Sequence, residues 1–323
     1  MRTEEDFDHF CQTELRGVLE DIEGRRRRLW ARFRTGAAVL AALLISAIAL
    51  WRAMRTPAPL LAVALAALLA GAVWWALVSS FTKQFKHRVI SAIAHYLDPS
   101  LAYDPDLCIS EQDFKESKLF PHAVDRYTGE DYVAGRIGET AIRFSEVHAE
   151  YKTTHTDAKG NTSTSWHTIF KGLFIIADFN KEFRSVTLVL PDVAEKLFGW
   201  LGQAFQEWTD VFRGRELVKL EDPEFEREFV VYADDQVEAR YILTPALMER
   251  LLEFKRETGR QVYFSFVRSN VYVATTTGKD LFEPRLAAPL SDPAVLHEYL
   301  RQLQLGVGVV EELDLNTRIW TKT

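Results

Sequence analysis

The sequence predicts an α+β protein in which an N-terminal two-helix transmembrane hairpin precedes a cytoplasmic domain of antiparallel sheet and helices. The first observation is a pair of apolar segments, residues 35–51 and 60–82, that contain no charged residue. The second is a change from helical to alternating periodicity after Tyr127. Because predicted strands and helices are segregated rather than strictly alternating, we expect the sheet to be antiparallel.

The two apolar segments fit the thickness of a bilayer. The charge-free stretch from Arg34 to Arg52 would span roughly 25 Å as a helix, and that from Arg55 to Lys83 roughly 40 Å, at about 1.5 Å per residue. The hydrocarbon core of a bilayer is about 30 Å thick. The short connection suits an antiparallel helical hairpin, and a buried hairpin of a soluble protein is the alternative.

Positive charge predicts the orientation. Six arginines precede the first span, only two lie in the connection, and three basic residues follow the second span: Arg25, Arg26, Arg27, Arg28, Arg32 and Arg34; Arg52 and Arg55; Lys83, Lys86 and Arg88. This pattern predicts a multi-pass protein of the bacterial inner membrane with both termini in the cytoplasm. The late start of the first apolar segment and the second that follows it argue against a cleaved signal peptide. Two cysteines, Cys11 and Cys108, suit a reducing compartment.

The net charge excludes some partners. The chain carries a net charge of −7, residues 1–34 balance, and the hairpin adds only two arginines, so the remaining residues carry about −9. An acidic domain lacks the basic surface of a nucleic-acid binder. It should also be held away from the anionic surface of the inner leaflet.

Residues 1–34 are predicted to form an amphipathic helix that ends in the basic cluster. Phe7, Phe10 and Leu15 belong to an apolar stripe at helical spacing, and acidic residues precede it. Such a stripe needs a partner. We expect that partner to be the soluble part of the same chain, a second copy, or another protein.

The soluble part divides at Gly214 into predicted α+β subdomains 83–213 and 214–323, which form one compact unit or two. The first subdomain holds predicted strands 131–137, 140–153, 166–177 and 186–190, a tight turn at Gly138-Glu139, and a helix from Asp192 to about residue 208. The second holds a turn at Asp234-Asp235 with a strand after it, a helix over 244–258, a hairpin across Ser269-Asn270, and a helix from 292 to about 305.

Four phrases of the sequence resemble a bacterial two-span membrane-protein family that is catalogued only as a domain of unknown function. They are RYTGEDYVAGRIG (126–138), IFKGLFIIADFNK (169–181), DDQVEARYILTP (234–245) and LNTRIW (315–320). The resemblance covers roughly residues 80–320. It implies two N-terminal spans and a cytoplasmic α+β domain, and it brings no reaction, ligand or catalytic residue.

Glu146, His148 and Glu150 alternate along one predicted strand, so their side chains share one face. Imidazole and carboxylate groups together can bind a divalent metal ion, which makes these three the candidate metal ligands. A solvated strand face is the simpler interpretation, because a tight site needs ligands from several elements. Glu130 and Asp131 are expected to join Arg126 and Arg136 in a structural ion network.

The weak catalytic candidates are His148, His167 and Asp178. His167 borders a polar loop, and Asp178 ends a very apolar strand, where it fits ordinary turn chemistry equally well. The sequence contains no phosphate-binding loop, nucleophile elbow, zincin motif or dinucleotide fingerprint. No cofactor is therefore predicted.

These observations favour a protein-interaction or regulatory module over an enzyme. The rival hypothesis is a membrane-anchored hydrolase or metal-dependent enzyme with a His/Asp cleft. A transporter is disfavoured because the spans bear no ionisable residue to line a path. Alanines and glycine in both spans offer close-packing surfaces, which predicts a homo-oligomer in addition to an unidentified protein partner.

Overall fold

A computed structural model describes residues 4–156, 160–179, 182–192, 215–313 and 315. The chain divides into two compact units, which we treat separately. Unit 1 comprises Met1–Ile93 and Phe282–Leu300, and unit 2 comprises Ala94–Leu281 and Arg301–Thr323. The predicted α+β class is confirmed: two long apolar helices are followed by an antiparallel sheet and further helices.

The first part of the chain is helical. Its helices are α1 (Glu4–Thr13), α2 (Arg16–Met54), α3 (Ala58–Phe85), a π-helix (Lys86–Ile90) and α4 (Ser91–Leu97). Two continuous helical stretches, Arg16–Met54 and Ala58–Leu97, are long and apolar enough to cross a membrane. The connection between them turns at Arg55, which adopts a left-handed conformation at the end of α2.

The predicted amphipathic helix is two helices, because the chain breaks at Glu14 and Leu15. Phe7, Phe10 and Leu15 are all buried inside unit 1. The ring of Phe7 packs edge-on against His297 at 5.1 Å, and His297 lies 2.8 Å from the carboxylate of Asp8. Their burial corrects the prediction that Phe7, Phe10 and Leu15 are interaction residues for another protein. At Phe7 the covering partner is the chain's own segment 282–300, which agrees with one of the three partners expected for the stripe.

A buried ion pair lies on α2. Glu23 and Arg26 are 7% and 9% exposed and contact each other through two nitrogen–oxygen pairs at 2.7 and 2.8 Å. Arg26 also donates to the carbonyl of Leu286 at 2.7 Å, and the Glu23 carboxylate accepts from the amide of Leu290 at 3.2 Å. The pair therefore joins α2 to the 282–300 segment of unit 1, and the hydrogen bond from Arg26 lowers the pKa of Glu23 to about 2.

Unit 2 is built on a nine-stranded sheet whose described pairings are all antiparallel. Its strands are β1 (Ala102–Asp104), β2 (Arg126–Ile137), β3 (Thr140–Thr156), β4 (Thr162–Asp178), β5 (Thr187–Pro191), β6 (Glu216–Val218), β7 (Phe229–Ala233), β8 (Val262–Val267) and β9 (Asn270–Thr276). They are ordered β1-β2-β3-β4-β9-β8-β5-β7-β6. Strands on both sides of Gly214 thus share one sheet, whereas the sequence division at 214 separates them.

Among the described residues, the helices that accompany the sheet strands are α5 (Glu111–Glu116), α6 (Pro223–Glu228), α7 (Gln236–Ile242), α8 (Pro245–Thr258) and α9 (Pro293–Glu312). Segment 236–242 was expected to be a strand, but Asp235 caps a helix there by accepting from the amides of Val237 and Glu238 at 2.7 and 3.2 Å. The last helix extends to Glu312 rather than to about residue 305. The helix predicted from Asp192 to about 208 lies outside the described residues beyond its first residue.

The sheet is covered on two faces. One face carries a core that includes Phe114 of α5, Val147 of β3 and Phe174 of β4. On the other face, Phe144 of β3 lies so close to Gly306 of α9 that a Cβ at Gly306 would approach the ring to 2.6 Å. Because Phe144 and Glu146 share this second face, Glu146 lies next to the helix contact, where it lines a cleft.

Candidate functional site

Three carboxylates converge where β2 pairs with β3. Glu130 lies directly opposite Glu146, and the register then shifts between Glu130 and Val133. Asp131 occupies this bulge with φ of 64° and is fully buried. The bulge turns Asp131 toward its neighbours, so that ligand oxygens of Glu130, Asp131 and Glu146 all lie within 4.8 Å of one another.

Gly129 makes this approach possible. A Cβ at Gly129 would lie 2.4 Å from the backbone oxygen of Glu146 and 2.8 Å from the Cβ of Cys108. The oxygen belongs to the backbone of the sheet and the Cβ of Cys108 is bonded directly to the main chain, so neither atom can move unless the backbone shifts. The absence of a side chain at position 129 is therefore a steric requirement of the pairing that places Glu130 beside Glu146.

Glu146 is the central group of the cluster. Its side chain is buried, with 4% of the residue exposed, and it accepts a hydrogen bond from the amide of Leu281 at 2.7 Å. Burial, together with the charges of Asp280, Asp131 and Glu130, raises the pKa of Glu146 to about 7 against the lowering effect of that amide. The group thus exchanges a proton near neutral pH.

An open cleft of about 360 Å³ lies over these carboxylates. It is lined by Pro105, Asp106, Thr128, Gly129, Glu130, Glu146, His148, Lys171 and Asp280. Lys171 pairs with Asp280 at 2.7 Å, which offsets one negative charge at the rim. Asp106, Glu130 and Glu146 outnumber His148 among the remaining ionisable side chains, so the cleft is suited to a cationic group.

The predicted metal ligands are only partly brought together. Glu146 and His148 both line the cleft. Glu150 is the next residue on the same face but pairs with Arg126 at 3.0 Å, and it lies 3.8 Å from His148. The carboxylates that approach Glu146 are Glu130 and Asp131, two residues that the sequence interpretation placed in an ion network with Arg126.

The three catalytic candidates do not converge. His148 is paired across the sheet with Lys171, and His167 with Tyr151. Four residues of β4 separate His167 from Lys171, roughly 13 Å of strand, and seven separate Lys171 from Asp178, roughly 23 Å. Asp178 lies opposite Asn270 at the far end of the strand. A cleft that uses all three side chains is therefore not formed.

A hairpin projects beyond the rest of the sheet. Residues 151–156 of β3 pair with 162–167 of β4, whereas the described pairing of β2 with β3 begins at Glu150 and that of β9 with β4 begins at Gly172. Residues 162–168 are exposed throughout. Within the described chain, this part of β4 has a strand neighbour on one side only, so its other edge presents unpaired backbone groups.

The base of the hairpin carries ordered aromatic groups on both faces. On one face, the guanidinium of Arg126 lies 3.9 Å from the ring centroid of Trp166, which is 41% exposed. On the other face, Tyr151 stacks between His122 and His167 at 4.4 and 4.9 Å. The face with Trp166 continues along β3 through Glu150 and His148 to the acidic cleft, so the hairpin and the cleft form one surface.

Sequence reasoning missed the contributions of Asp131, Lys171 and Asp280. Lys171 could be placed near His148 once the hairpin register was known, but Asp280 follows the last strand by four residues and belongs to no predicted element. The signal that could have revealed the bulge was Gly129, a glycine inside an otherwise strand-forming phrase.

The comparisons with known proteins confirm the coarser part of the resemblance seen in the sequence, a similarity to a family catalogued only as a domain of unknown function. Residues 168–315 match a family described as "Protein of unknown function (DUF3137)". No curated protein matches. A solved structure, the crystal structure of the mycobacterial trehalose monomycolate transport factor A, TtfA, is similar at 12% identity with a TM-score of 0.33, over 73% of this chain and 97% of that chain. A likeness at that level carries no functional conclusion.

Proposed function

We propose that this chain is a membrane-anchored interaction module that binds an extended segment of a partner protein along the open edge of β4. The single observation that carries the proposal is the unpaired edge of residues 162–168, which projects beyond β9 and is exposed. Addition of a strand to such an edge satisfies backbone hydrogen bonds of both chains, and alternate side chains then supply specificity.

The surface next to the edge indicates what the partner presents. Trp166 offers a large exposed ring beside Arg126, and aromatic side chains of this kind anchor protein interfaces. Farther along the same face, the acidic cleft suits a lysine or arginine. The partner is thus expected to be an extended segment that carries a basic side chain a few residues from an apolar one.

Site-specific photo-crosslinking tests this proposal. A photoreactive amino acid at Ser163 or Ser165 of the full-length chain should crosslink one discrete protein in cells, and the same group at Val237, which is 77% exposed on α7, should not. The variant that replaces residues 153–165 by Asn-Gly keeps the pair Lys152–Trp166 and removes residues 162–165 of the projecting edge. Crosslinking from Trp166 should be lost in that variant.

The outcome must also identify an added strand. A synthetic peptide from the captured protein should bind the full-length chain and protect the amides of 162–168 from hydrogen exchange. Capture that is equally strong at Val237, or binding that survives the shortened hairpin, would refute the proposal.

The proposed location is the inner membrane, with both termini in the cytoplasm. It rests on the two apolar helices and on the arginines before the first of them. A periplasmic reporter at Pro57 should be active and one after Thr323 inactive. Activity after Thr323 would place the edge of β4 on the other side of the membrane.

A second candidate is a metal-dependent enzyme, favoured by the approach of Glu130, Asp131 and Glu146 to within 4.8 Å. Carboxylates in such a cluster would hold a hard divalent cation, with His148 beside it in the cleft. Protonation of Glu146 relieves the same repulsion without a metal. Metal analysis of the purified full-length chain and of Glu146→Gln separates the two: stoichiometric metal that the variant loses would favour the enzyme.

Self-association remains a separate proposal, based on the small residues of both apolar helices. Mass measurement of the full-length chain in detergent tests it, and a monomer would refute it.

A further inference from the structure

An apolar groove runs between α2 and α3 within unit 1. It has a volume of about 520 Å³ and is lined by Arg32, Phe33, Gly36, Ala37 and Leu40 of α2 and by Ala67, Ala70, Gly71, Val73, Trp74 and Leu77 of α3. A Cβ at either glycine would meet no atom within 4 Å. The glycines therefore do not serve close packing of these two helices, and they leave open space at the surface of the hairpin.

Arg32 lines the groove at its polar end, and Arg28 lies one turn before it on α2. Arg28, Arg32, Gly36 and Leu40 follow one another at four-residue spacing, so they form one row on α2. Arg25, Arg26 and Arg27 are engaged by Asp21 or Glu23, whereas Arg28 and Arg32 form no ion pair or hydrogen bond with any described residue. The row thus passes from unpaired positive charge to apolar surface.

Aromatic rings mark the boundary between the charged and the apolar parts. Phe33 packs against Trp74 at 4.8 Å across the groove, and Trp30 stacks on Phe33 at 5.4 Å. Tryptophan is enriched at the level of lipid headgroups, where an amphipathic ring meets both apolar and polar surroundings. The groove therefore begins at the interface and extends about 12 Å, or eight residues of α2, into the apolar segment.

We infer that this groove binds an anionic phospholipid, with an acyl chain against Gly36, Ala37 and Gly71 and the headgroup phosphate between Arg28 and Arg32. Basic pockets between spans recognise lipid headgroups of this charge. A second copy of the chain is the less suitable occupant. Copies inserted with the same orientation would bring their own Arg32 residues to the same depth, and like charges would then oppose each other.

Native mass spectrometry of the full-length chain in mild detergent tests this inference. We expect phosphatidylglycerol to bind with one-to-one stoichiometry and about tenfold more tightly than phosphatidylcholine, since one or two arginines each contribute about 1 kcal/mol at a membrane surface. Arg28→Gln together with Arg32→Gln should abolish the preference for phosphatidylglycerol. Arg34→Gln is the control for loss of a single positive charge from another face of α2, and it should keep the preference.

Filling the groove provides a second, independent variant. Gly36→Leu enters open space, so it should leave the helices intact and displace the acyl chain, which lowers the affinity for both lipids. Ala72→Leu adds similar bulk to an exposed position that does not line the groove, and it should have no effect.

Two results would overturn the inference. One is equal affinity for the two lipids that neither variant changes. The other is a dimer that Gly36→Leu dissociates, which would assign the groove to a second copy.

Discussion

Two buried glutamates, one in each unit, respond oppositely to similar burial. Glu23 of unit 1 and Glu146 of unit 2 are 7% and 4% exposed, and each accepts a backbone amide, from Leu290 and Leu281 respectively. The pKa of Glu23 is lowered to about 2, whereas that of Glu146 is raised to about 7. The difference lies in what offsets the burial: Arg26 is bonded to Glu23, whereas burial, the largest cause of the raised pKa of Glu146, is offset by no bonded cation and is reinforced by Asp280, Asp131 and Glu130.

The comparison separates a structural carboxylate from a candidate functional one. A glutamate with a bonded guanidinium is charged at every physiological pH and joins two segments. A glutamate among other acids keeps a proton near neutral pH, and a cation that replaces this proton stabilises the carboxylate. The exposed fraction of a glutamate side chain does not by itself tell a structural carboxylate from a functional one.

The largest expected effect comes from removing the carboxylate of unit 1. Glu23→Ala leaves Arg26 buried without its counter-ion, which should destabilise unit 1 by about 3 kcal/mol. Thermal unfolding in detergent, combined with hydrogen exchange of the 16–30 and 282–300 peptides, measures the loss. Glu20→Ala is the control, since the Arg16–Glu20 pair is 71% and 65% exposed and should contribute less than about 0.5 kcal/mol.

The second prediction tests the sign of the effect in unit 2. Because the folded-state pKa of Glu146 is raised, its contribution to stability is present below about pH 4.5 and is lost as pH rises through about 7. Glu146→Gln should remove this loss. Between pH 5 and pH 8 the free energy of unfolding of the variant should therefore fall by about 2 kcal/mol less than that of the parent. Unfolding of unit 2 peptides, followed by hydrogen exchange at both pH values, is the measurement.

Glu23 provides the internal reference for that experiment. Its lowered pKa means that its contribution is present above about pH 4.5 and is lost as pH falls toward 2. Opposite pH profiles in the two sets of peptides would support the comparison, and parallel profiles would contradict it.

A third glutamate should show a weaker form of the behaviour of Glu146. Glu312, near the end of α9, is half-buried, and burial together with Glu257, Glu253 and Glu311 raises its pKa to about 7. Glu312→Gln should stabilise the chain by about 1 kcal/mol at pH 8 and by less at pH 5, where Glu312 is protonated. The effect is smaller than at Glu146 because exposure of Glu312 to water weakens the repulsion. Chemical denaturation at the two pH values checks this, and Glu221→Gln on an exposed position is the control.

The smallest expected effect concerns the order of the acidic neighbours. Of the neighbouring carboxylates, Asp280 raises the pKa of Glu146 most, and it also pairs with the ammonium of Lys171. Asp280→Asn should therefore lower the pKa of Glu146 more than Glu130→Gln does. The midpoint of the pH dependence of unit 2 stability reports both shifts. A larger effect of Glu130→Gln would show that the bulge places Glu130 closer to Glu146 than Asp280 is.

The sequence was most informative where the cause is local. Charge-free apolar segments predicted α2 and α3, and Gly138-Glu139 predicted the turn that pairs Ile137 with Thr140. The same alternation placed Glu146 and His148 on one face. Each of these predictions depends on residues within about one element of each other.

The rest of the site depends on contacts that are distant in the chain. The amide that binds Glu146 belongs to Leu281, 135 residues away, and Phe7 of α1 packs against His297 of the segment after position 282. A prediction from alternation assumes a continuous register, and the bulge at Asp131 interrupts it. Because a register shift changes the face of the residues that follow it, alternation could not place Asp131 beside Glu146. The prediction of a strand at 236–242 was wrong for another reason. A capped helix of seven residues is too short for its periodicity to distinguish it from a strand.

The unbroken course of α2 has a mechanical consequence. A single helix of 39 residues contains the Glu23–Arg26 pair, the arginine row and the first apolar segment, with no interruption from Arg16 to Met54. A continuous helix of this length spans about 58 Å, so a change of tilt in one half moves the other half. If the apolar half spans the bilayer as proposed, a thinner bilayer that tilts it should also move the charged half and strain the hydrogen bonds to Leu286 and Leu290.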